Sequence, residues 1–293
     1  MMLLQEKIQN TKFSNSEQKI IEFILEKGIE IDHYSTTRIA KETYSSPSSL
    51  IRIAKKLDFD GWLELKKAYI EEVTYLQTYF QDIDPNYPFD FQDNIMSVAN
   101  KISSLYIESA KDTSSLLQHD SLQKAVQLMN NSERILIFAI GNMNYLAEEF
   151  AFKLRRIHKT VMHDATQDNQ FHDALMATSK DIALCLSYSG ETLTLLKTVK
   201  YLKKNQVPVI ALTSLGDNSL AKLATVILNV TTREKSFSKI AAYSSYQSFS
   251  LILDILYSCF FNLDYQKNLD YKLNIAKQVE KDRMISNAII EEE

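Results

Sequence analysis

From residue 134 onward the chain repeats one phrase, a short apolar run followed by a stretch with the period of an amphipathic helix. The runs are RILIFAI (134–140), TVMHD (160–164), IALCLS (182–187), VPVIALT (207–213) and TVILNV (225–230). Helical patterns fall between them at 144–157, 168–178, 191–204 and 218–223. Two more, at about 92–118 and 120–130, come before the first run, and a long one closes the series at about 240–262. A strand that is apolar throughout must be covered on both faces, and strands joined through helices run parallel. The expectation is a parallel sheet between two helical layers, with ligands beyond the carboxyl ends of the strands. That gives weight to the glycines. The chain has five, of which Gly141 and Gly190 fall in strand-to-helix turns and Gly216 follows the fourth strand.

Residues 14–80 have a helical rhythm throughout. SNSEQKIIEFILEKG begins with a capping box, Ser14 and Glu17, continues with apolar Ile20, Ile21, Phe23, Ile24 and Leu25, and stops at Gly28. A second short helix fits TTRIAKETY with Ile39 and Ala40 inward. A third fits PSSLIRIAKKL (47–57), with Ser46 as N-cap, Pro47 at the first position and Leu50, Ile51, Ala54 and Leu57 on the apolar side. A further helix, GWLELKKAYIEEVTYLQTYF, runs toward residue 80. The segment DIDPNYPFDFQDN (82–94) holds two of the four prolines and reads as a linker. The expected division is a helical domain at 1–80, a linker at 81–94 and an α/β domain at 95–293.

Helices at 36–43 and 47–57, joined by Tyr44 and Ser45, have the lengths of a helix-turn-helix. The second carries Ser46, Ser48, Ser49, Arg52, Lys55 and Lys56. With one Arg, two Lys and no acid within 46–57, its local charge is +3. Hydroxyls at a helix start can reach phosphates, and Arg can read guanine. The same pattern fits the solvated face of a small bundle. The net charge of −4 excludes a chain that coats nucleic acid uniformly, and leaves room for a local basic face.

The second candidate is SYSGET, Ser187, Tyr188, Ser189, Gly190, Glu191 and Thr192. The third strand ends there and a helix begins, so unpaired amides, hydroxyls and a glycine stand where an anion could bind. An ordinary helix cap has the same composition. A sugar-phosphate isomerase would need a general base near the reacting carbons. Glu191, Glu234, His163, His172 and Lys239 are available, but no spacing among them defines a dyad, and sensing is the more economical reading.

No apolar run has membrane length, and MMLLQEKIQN is charged too early for a signal peptide, so a cytoplasmic protein is expected. Cys185 and Cys259 lack metal-ligand spacing and read as buried thiols. The five histidines form no HxxxH, so neither metal nor cofactor is expected.

Over nearly its whole length the chain resembles the MurR/RpiR family of bacterial transcriptional regulators. The residues that carry this are TTRIAKETYSSPSSLIRIAKKLDFDGWLELKKAY, with Pro47, Leu57, Phe59, Gly61, Trp62, Glu64, Leu65 and Lys66 in place, and SYSGET. Tyr44 stands where that family has glycine in the turn. The resemblance implies an all-α helix-turn-helix domain followed by a flavodoxin-like SIS (sugar isomerase) domain, the phosphosugar-binding module. It implies that Ser187, Ser189 and Thr192 hold a sugar phosphate with help from amides of Tyr188, Gly190 or Glu191. It implies double-stranded operator DNA and a phosphorylated sugar or amino sugar as partners, a homodimer or a tetramer as assembly, and no catalysis. AIGNM (139–143) departs from the family's G-x-G-x-S: Gly141 remains, Ala139 and Met143 replace glycine and serine, and Asn142 or Asn144 is expected to supply the missing hydrogen bond. The alternatives are an isomerase with an appended helical domain, and a SIS regulator without an effector.

Overall fold

A computed structural model describes residues 4, 7–8, 11–78 and 83–279. The chain divides into two compact units. One gathers residues up to Ser115 with 215–218 and 231–245, and the other holds 116–214, 219–230 and the chain from Tyr246 on.

In the first unit the helices are α1 (Asn15–Lys27), α2 (Thr36–Glu42), α3 (Pro47–Lys56), α4 (Trp62–Thr78) and α5 (Ile95–Leu116). The capping box starts α1: Glu17 N–H donates to Ser14 Oγ, and Ser14 N–H donates to the Glu17 carboxylate at 2.8 Å. A 3-10 turn over Gly28–His33, which the sequence pattern did not suggest, follows at once. One core joins Ile20, Ile24, Ile31, Ile39, Leu50, Ile53, Leu57, Trp62 and Leu65. The inward face of α3 is therefore Leu50, Ile53, Ala54 and Leu57. Ile51, expected inward, is 51% exposed. The expected end of α4 at 80 and residues 81–82 of the linker lie outside the described residues. The rest of that linker does not run free. Pro85, Asn86 and Pro88 are buried, Asn86 Oδ1 accepts from Lys235 N–H at 2.7 Å, and Ile240 N–H donates to Asn86 O at 2.9 Å.

The second unit is the three-layer α/β body. Strands β1 (Ile135–Ala139), β2 (Val161–Met162), β3 (Ile182–Leu186), β4 (Val209–Ser214) and β5 (Val226–Val230) form one parallel sheet in the order β2-β1-β3-β4-β5. This is the flavodoxin-like order. Helices α6 (His119–Asn131), α7 (Met143–Arg155) and α11 (Ser244–Asn262) pack on one face, with Met129, Phe150, Phe249 and Leu256 against Ile137, Leu184 and Leu212. Helices α8 (Gln167–Met176), α9 (Leu193–Lys204) and α10 (Ser219–Leu223) cover the other, with Ala174, Val199 and Leu220 against Phe138, Cys185 and Ala211. Helix α12 (Tyr265–Val279), which the sequence pattern did not suggest, buries no residue.

Glycine is scarce, and four helices end instead on non-glycine residues with positive φ: Tyr44 (51°), Asp58 (62°), His158 (64°) and Gln206 (59°). Each lies at the turn of a Schellman motif, as in Ser45 N–H to Ala40 O at 2.8 Å and Phe59 N–H to Ala54 O at 2.9 Å. Burial pushes the Cys185 thiol well above its ordinary pKa, whereas Cys259 is only half-buried. Among the described residues no helix is long and apolar enough to cross a membrane.

Candidate functional site

The DNA-reading candidate is the face of α3. Ser48, Ile51, Arg52 and Lys55 recur at the three- and four-residue spacing of one helical side, and all are exposed. Four expected contacts have partners within the protein. Ser49 is buried, 3% exposed, and its Oγ accepts from Arg52 Nη2 at 2.9 Å, so it positions the guanidinium. Ser46 is exposed at the N-cap, but its hydroxyl bonds Ser48 Oγ at 2.7 Å and Ser49 Oγ at 3.0 Å and gives the helix no side-chain cap. Lys56 Nζ lies 2.6 Å from the buried Glu17 carboxylate, and Lys55 pairs with exposed Asp60 at 3.2 Å. The +3 counted along α3 is thus partly offset in space by two acids outside it. Apolar Ile51 is what sequence reasoning missed: its exposure beside Arg52 suits a thymine methyl.

The second candidate lies where β1 and β3 end together. Ala139 pairs in register with Leu186, so the turns after the two strands sit side by side at the point where the chain order switches direction. Each turn sets a glycine in the left-handed region that glycine enters freely, Gly141 and Gly190 both at φ +66°. In SYSGET the hydroxyls organise the turn itself. Gly190 N–H donates to Ser187 Oγ at 3.2 Å, Glu191 N–H donates to Ser189 Oγ at 3.2 Å, and Ser187 Oγ meets Thr192 Oγ1 at 3.1 Å. Thr192 occupies the N-cap position of α9 but gives it no side-chain cap. Tyr188 O accepts from Ser214 N–H at 3.1 Å, and Gly190 O accepts from Leu220 N–H at 3.0 Å, which fix the turn against β4 and α10. Glu191 carboxylate accepts from Ser219 N–H at 2.7 Å at the start of α10. The result is a turn fixed by its own hydrogen bonds at the start of a twelve-residue helix.

The companion turn differs from expectation. Met143 is 6% exposed and packs in the core with Phe150, so no thioether faces the ligand side of the turn. Asn144 is spoken for: its Nδ2 donates to Ala165 O at 3.3 Å and its Oδ1 accepts from Gln170 Nε2 at 3.3 Å. Asn142 is exposed and carries no cap bond. Gln170, only 4% exposed, stitches this end of the sheet, donating to Ala139 O at 2.8 Å and Asp164 O at 2.7 Å. Asp164, at the start of α8, is held at a pKa of about 2 by hydrogen bonds from Thr166 and Asn169. A cavity of about 130 Å³ beside α8 and α9 is lined by Ile140, Asp168, Gln170, Phe171, Thr194 and Lys197.

Of the residues with the chemistry of a base, Glu191 caps α10. Glu234, in the first unit, is buried and accepts from Ser244 N–H (2.6 Å), Ser245 N–H (3.1 Å), Ser245 Oγ (2.5 Å) and Lys239 Nζ (3.0 Å). His172 is exposed. His163 follows β2; its Nδ1 donates to Ile137 O at 3.0 Å, and among the described residues its buried Nε2 has no hydrogen-bond partner. Among the described residues no group of acids, histidines and cysteines could hold a metal ion.

These geometries match known proteins on both sides. The helix-turn-helix domain of the rpiR family matches residues 2–75, and the SIS domain matches residues 128–258. An uncharacterized HTH-type transcriptional regulator of Clostridium perfringens is 27% identical over 88% of this chain and 91% of its own length. Among solved structures, the Vibrio vulnificus NanR protein complexed with ManNAc-6P matches with a TM-score of 0.59 at 19% identity, over 97% of this chain and 98% of that one. The sugar isomerase domain of an RpiR transcription factor from Sphaerobacter thermophilus matches with 0.53 at 15% identity, over 61% of this chain and 98% of that one. At these identities the structural likeness establishes the fold. A DNA-binding helix-turn-helix joined to a sugar-isomerase fold defines a class of regulators. The chain belongs to the MurR/RpiR family of transcriptional regulators within it.

Proposed function

We propose that this regulator binds a pseudo-palindromic operator as a homodimer through α3, and that a phosphorylated sugar or amino sugar in the SYSGET turn changes its affinity for DNA. The observation that carries the sensor is the geometry of that turn: hydroxyls of Ser187, Ser189 and Thr192 and the amides from Tyr188 to Glu191 gather at the switch point of the sheet, at the uncapped start of α9. A helix start of this kind favours a dianion. Gly141 and Asn142 lie on the neighbouring turn, and the unpaired Nε2 of His163 is the further polar atom at this end of the sheet. A ManNAc-6P complex of the similarly folded NanR makes amino-sugar 6-phosphates the first compounds to try.

The carboxylates support sensing over turnover, since Glu191 and Glu234 both serve as caps on backbone amides. The test is a thermal-shift screen against phosphorylated sugars and amino sugars. One class should stabilise the protein, by about 2.7 kcal/mol at one hundred times its Kd. No shift with any member would leave a SIS fold without an effector, and consumption of the ligand by the purified chain would establish the isomerase reading instead.

A further inference from the structure

We propose that Tyr44 is a DNA contact in its own right, its hydroxyl donating to a backbone phosphate and its ring covering the adjoining deoxyribose at the entry to α3. This rests on the reading of α3 as the recognition helix. Tyr44 is held at φ +51°, a backbone region that glycine enters freely and a bulky side chain does not. The protein draws no packing in return: the side chain is 96% exposed and, among the described residues, has no hydrogen bond, ion pair or ring contact. Of its three counterparts at left-handed turns, the smaller Gln206 is exposed and the other two have side-chain partners. Asp58 pairs with Lys7 at 2.9 Å, and His158 lies against Tyr271 with ring centroids 5.2 Å apart. Strain kept at a position that does nothing for the fold points to a function outside it.

The place of Tyr44 names that function. It lies two residues before the N-cap Ser46, at the end of α3 that carries Ser48 and Arg52. In helix-turn-helix proteins the start of the recognition helix meets the bases while the preceding helix crosses the backbone, and the turn between them runs beside phosphate and sugar. Tyrosine hydroxyls donate to phosphates there. The two helices that it joins carry a net positive charge: exposed Arg38 and Lys41 on α2 and exposed Arg52, Lys55 and Lys56 on α3, against one acid, Glu42.

The test uses the full chain and a duplex enriched by the wild-type protein from a random-sequence pool, with binding measured at several salt concentrations. Unfolding of the helical unit is followed in parallel by fluorescence of Trp62, the single tryptophan, which is 4% exposed in that core. Tyr44→Gly should weaken binding at least about fivefold at every salt concentration, because the lost contact is neutral and the salt slope stays. The same substitution should raise the unfolding midpoint by about 4 °C through relief of the turn. Tyr44→Phe, which keeps the ring, should lose about threefold. Arg52→Ala with Lys55→Ala should weaken binding and flatten the salt slope. Unchanged binding by Tyr44→Gly, with the double variant impaired, overturns the Tyr44 contact and leaves α3 standing. Weakened binding with a lowered midpoint assigns Tyr44 to the fold and overturns the contact as well. An unimpaired double variant, or a pool that yields no enriched duplex, overturns the recognition helix and Tyr44 with it.

Discussion

Thr192 separates two duties that the other hydroxyls of the turn combine. Ser187 and Ser189 each accept an amide of the loop, so removing either disturbs the cradle as well as its ligand. Among the described residues Thr192 Oγ1 meets only Ser187 Oγ, at 3.1 Å, and it gives α9 no side-chain cap. Thr192→Val keeps the shape and removes the hydroxyl, so stability should change by less than about 1 kcal/mol while phosphosugar affinity falls about tenfold or more, the worth of one hydrogen bond to a charged group. Thermal shift without ligand and titration with it read the two effects separately, and an unchanged affinity would move the phosphate elsewhere. At this scale the sequence was only partly legible. The spacing of SYSGET located the turn, because a glycine and hydroxyls after an apolar strand have few structural homes. The companion AIGNM misled in detail: a motif position says nothing of where a side chain goes, and Met143 turns into the core while Asn144 is taken by Ala165 and Gln170. Ser49 misled for the same reason, being hydroxyl-bearing and buried.

Elements were more legible, since strands covered on both faces must be apolar, as β1 and β3 are throughout and β4 is from Val209 to Leu212. Helix α12 escaped although Leu269, Tyr271, Ile275 and Ala276 share one side at helical spacing; that side is only half-buried and is interrupted by Asn268 and Lys272. The pairing of α1 with α3 escaped because it joins residues far apart in sequence: Glu17, which caps α1, also receives Lys56 at 2.6 Å. Burial pushes the Glu17 carboxyl up, but hydrogen bonds from Lys56 and Ser14 outweigh it and hold the pKa below the ordinary glutamate value. A carboxyl depressed in the fold stabilises it fully above its unfolded pKa of about 4.3, and that contribution is lost as pH falls through the lower folded value. Glu17→Gln keeps the capping box, which accepts either residue, and removes the charge. It should cost about 1 kcal/mol at pH 7, a modest figure because Lys56 is partly exposed. Below about pH 4 the difference from wild type should shrink. Urea titrations followed by Trp62 fluorescence at pH 7 and pH 3.5 check both; a gap that persists in acid would mean that the lost packing of Glu17, and not its charge, was at work.

For the whole molecule, regulation is a matter of linkage between two binding events. If the phosphosugar changes operator affinity by some factor, the operator must change phosphosugar affinity by the same factor, whatever route connects the sites. Couplings of this kind typically amount to about 1–3 kcal/mol, or roughly 5- to 150-fold. The prediction is concrete. Operator affinity measured with and without saturating phosphosugar, and phosphosugar affinity measured with and without saturating operator, should shift by equal factors and in the same direction. Thr192→Val should weaken phosphosugar binding in both DNA-free and DNA-bound protein, while Arg52→Ala with Lys55→Ala should leave phosphosugar affinity in free protein untouched. A ligand that binds tightly yet moves neither affinity would have equal preference for the two states, and tight binding alone cannot shift such an equilibrium. The SYSGET turn would then be a site that holds a phosphate without reporting it, and control of this regulator would have to enter through a different ligand.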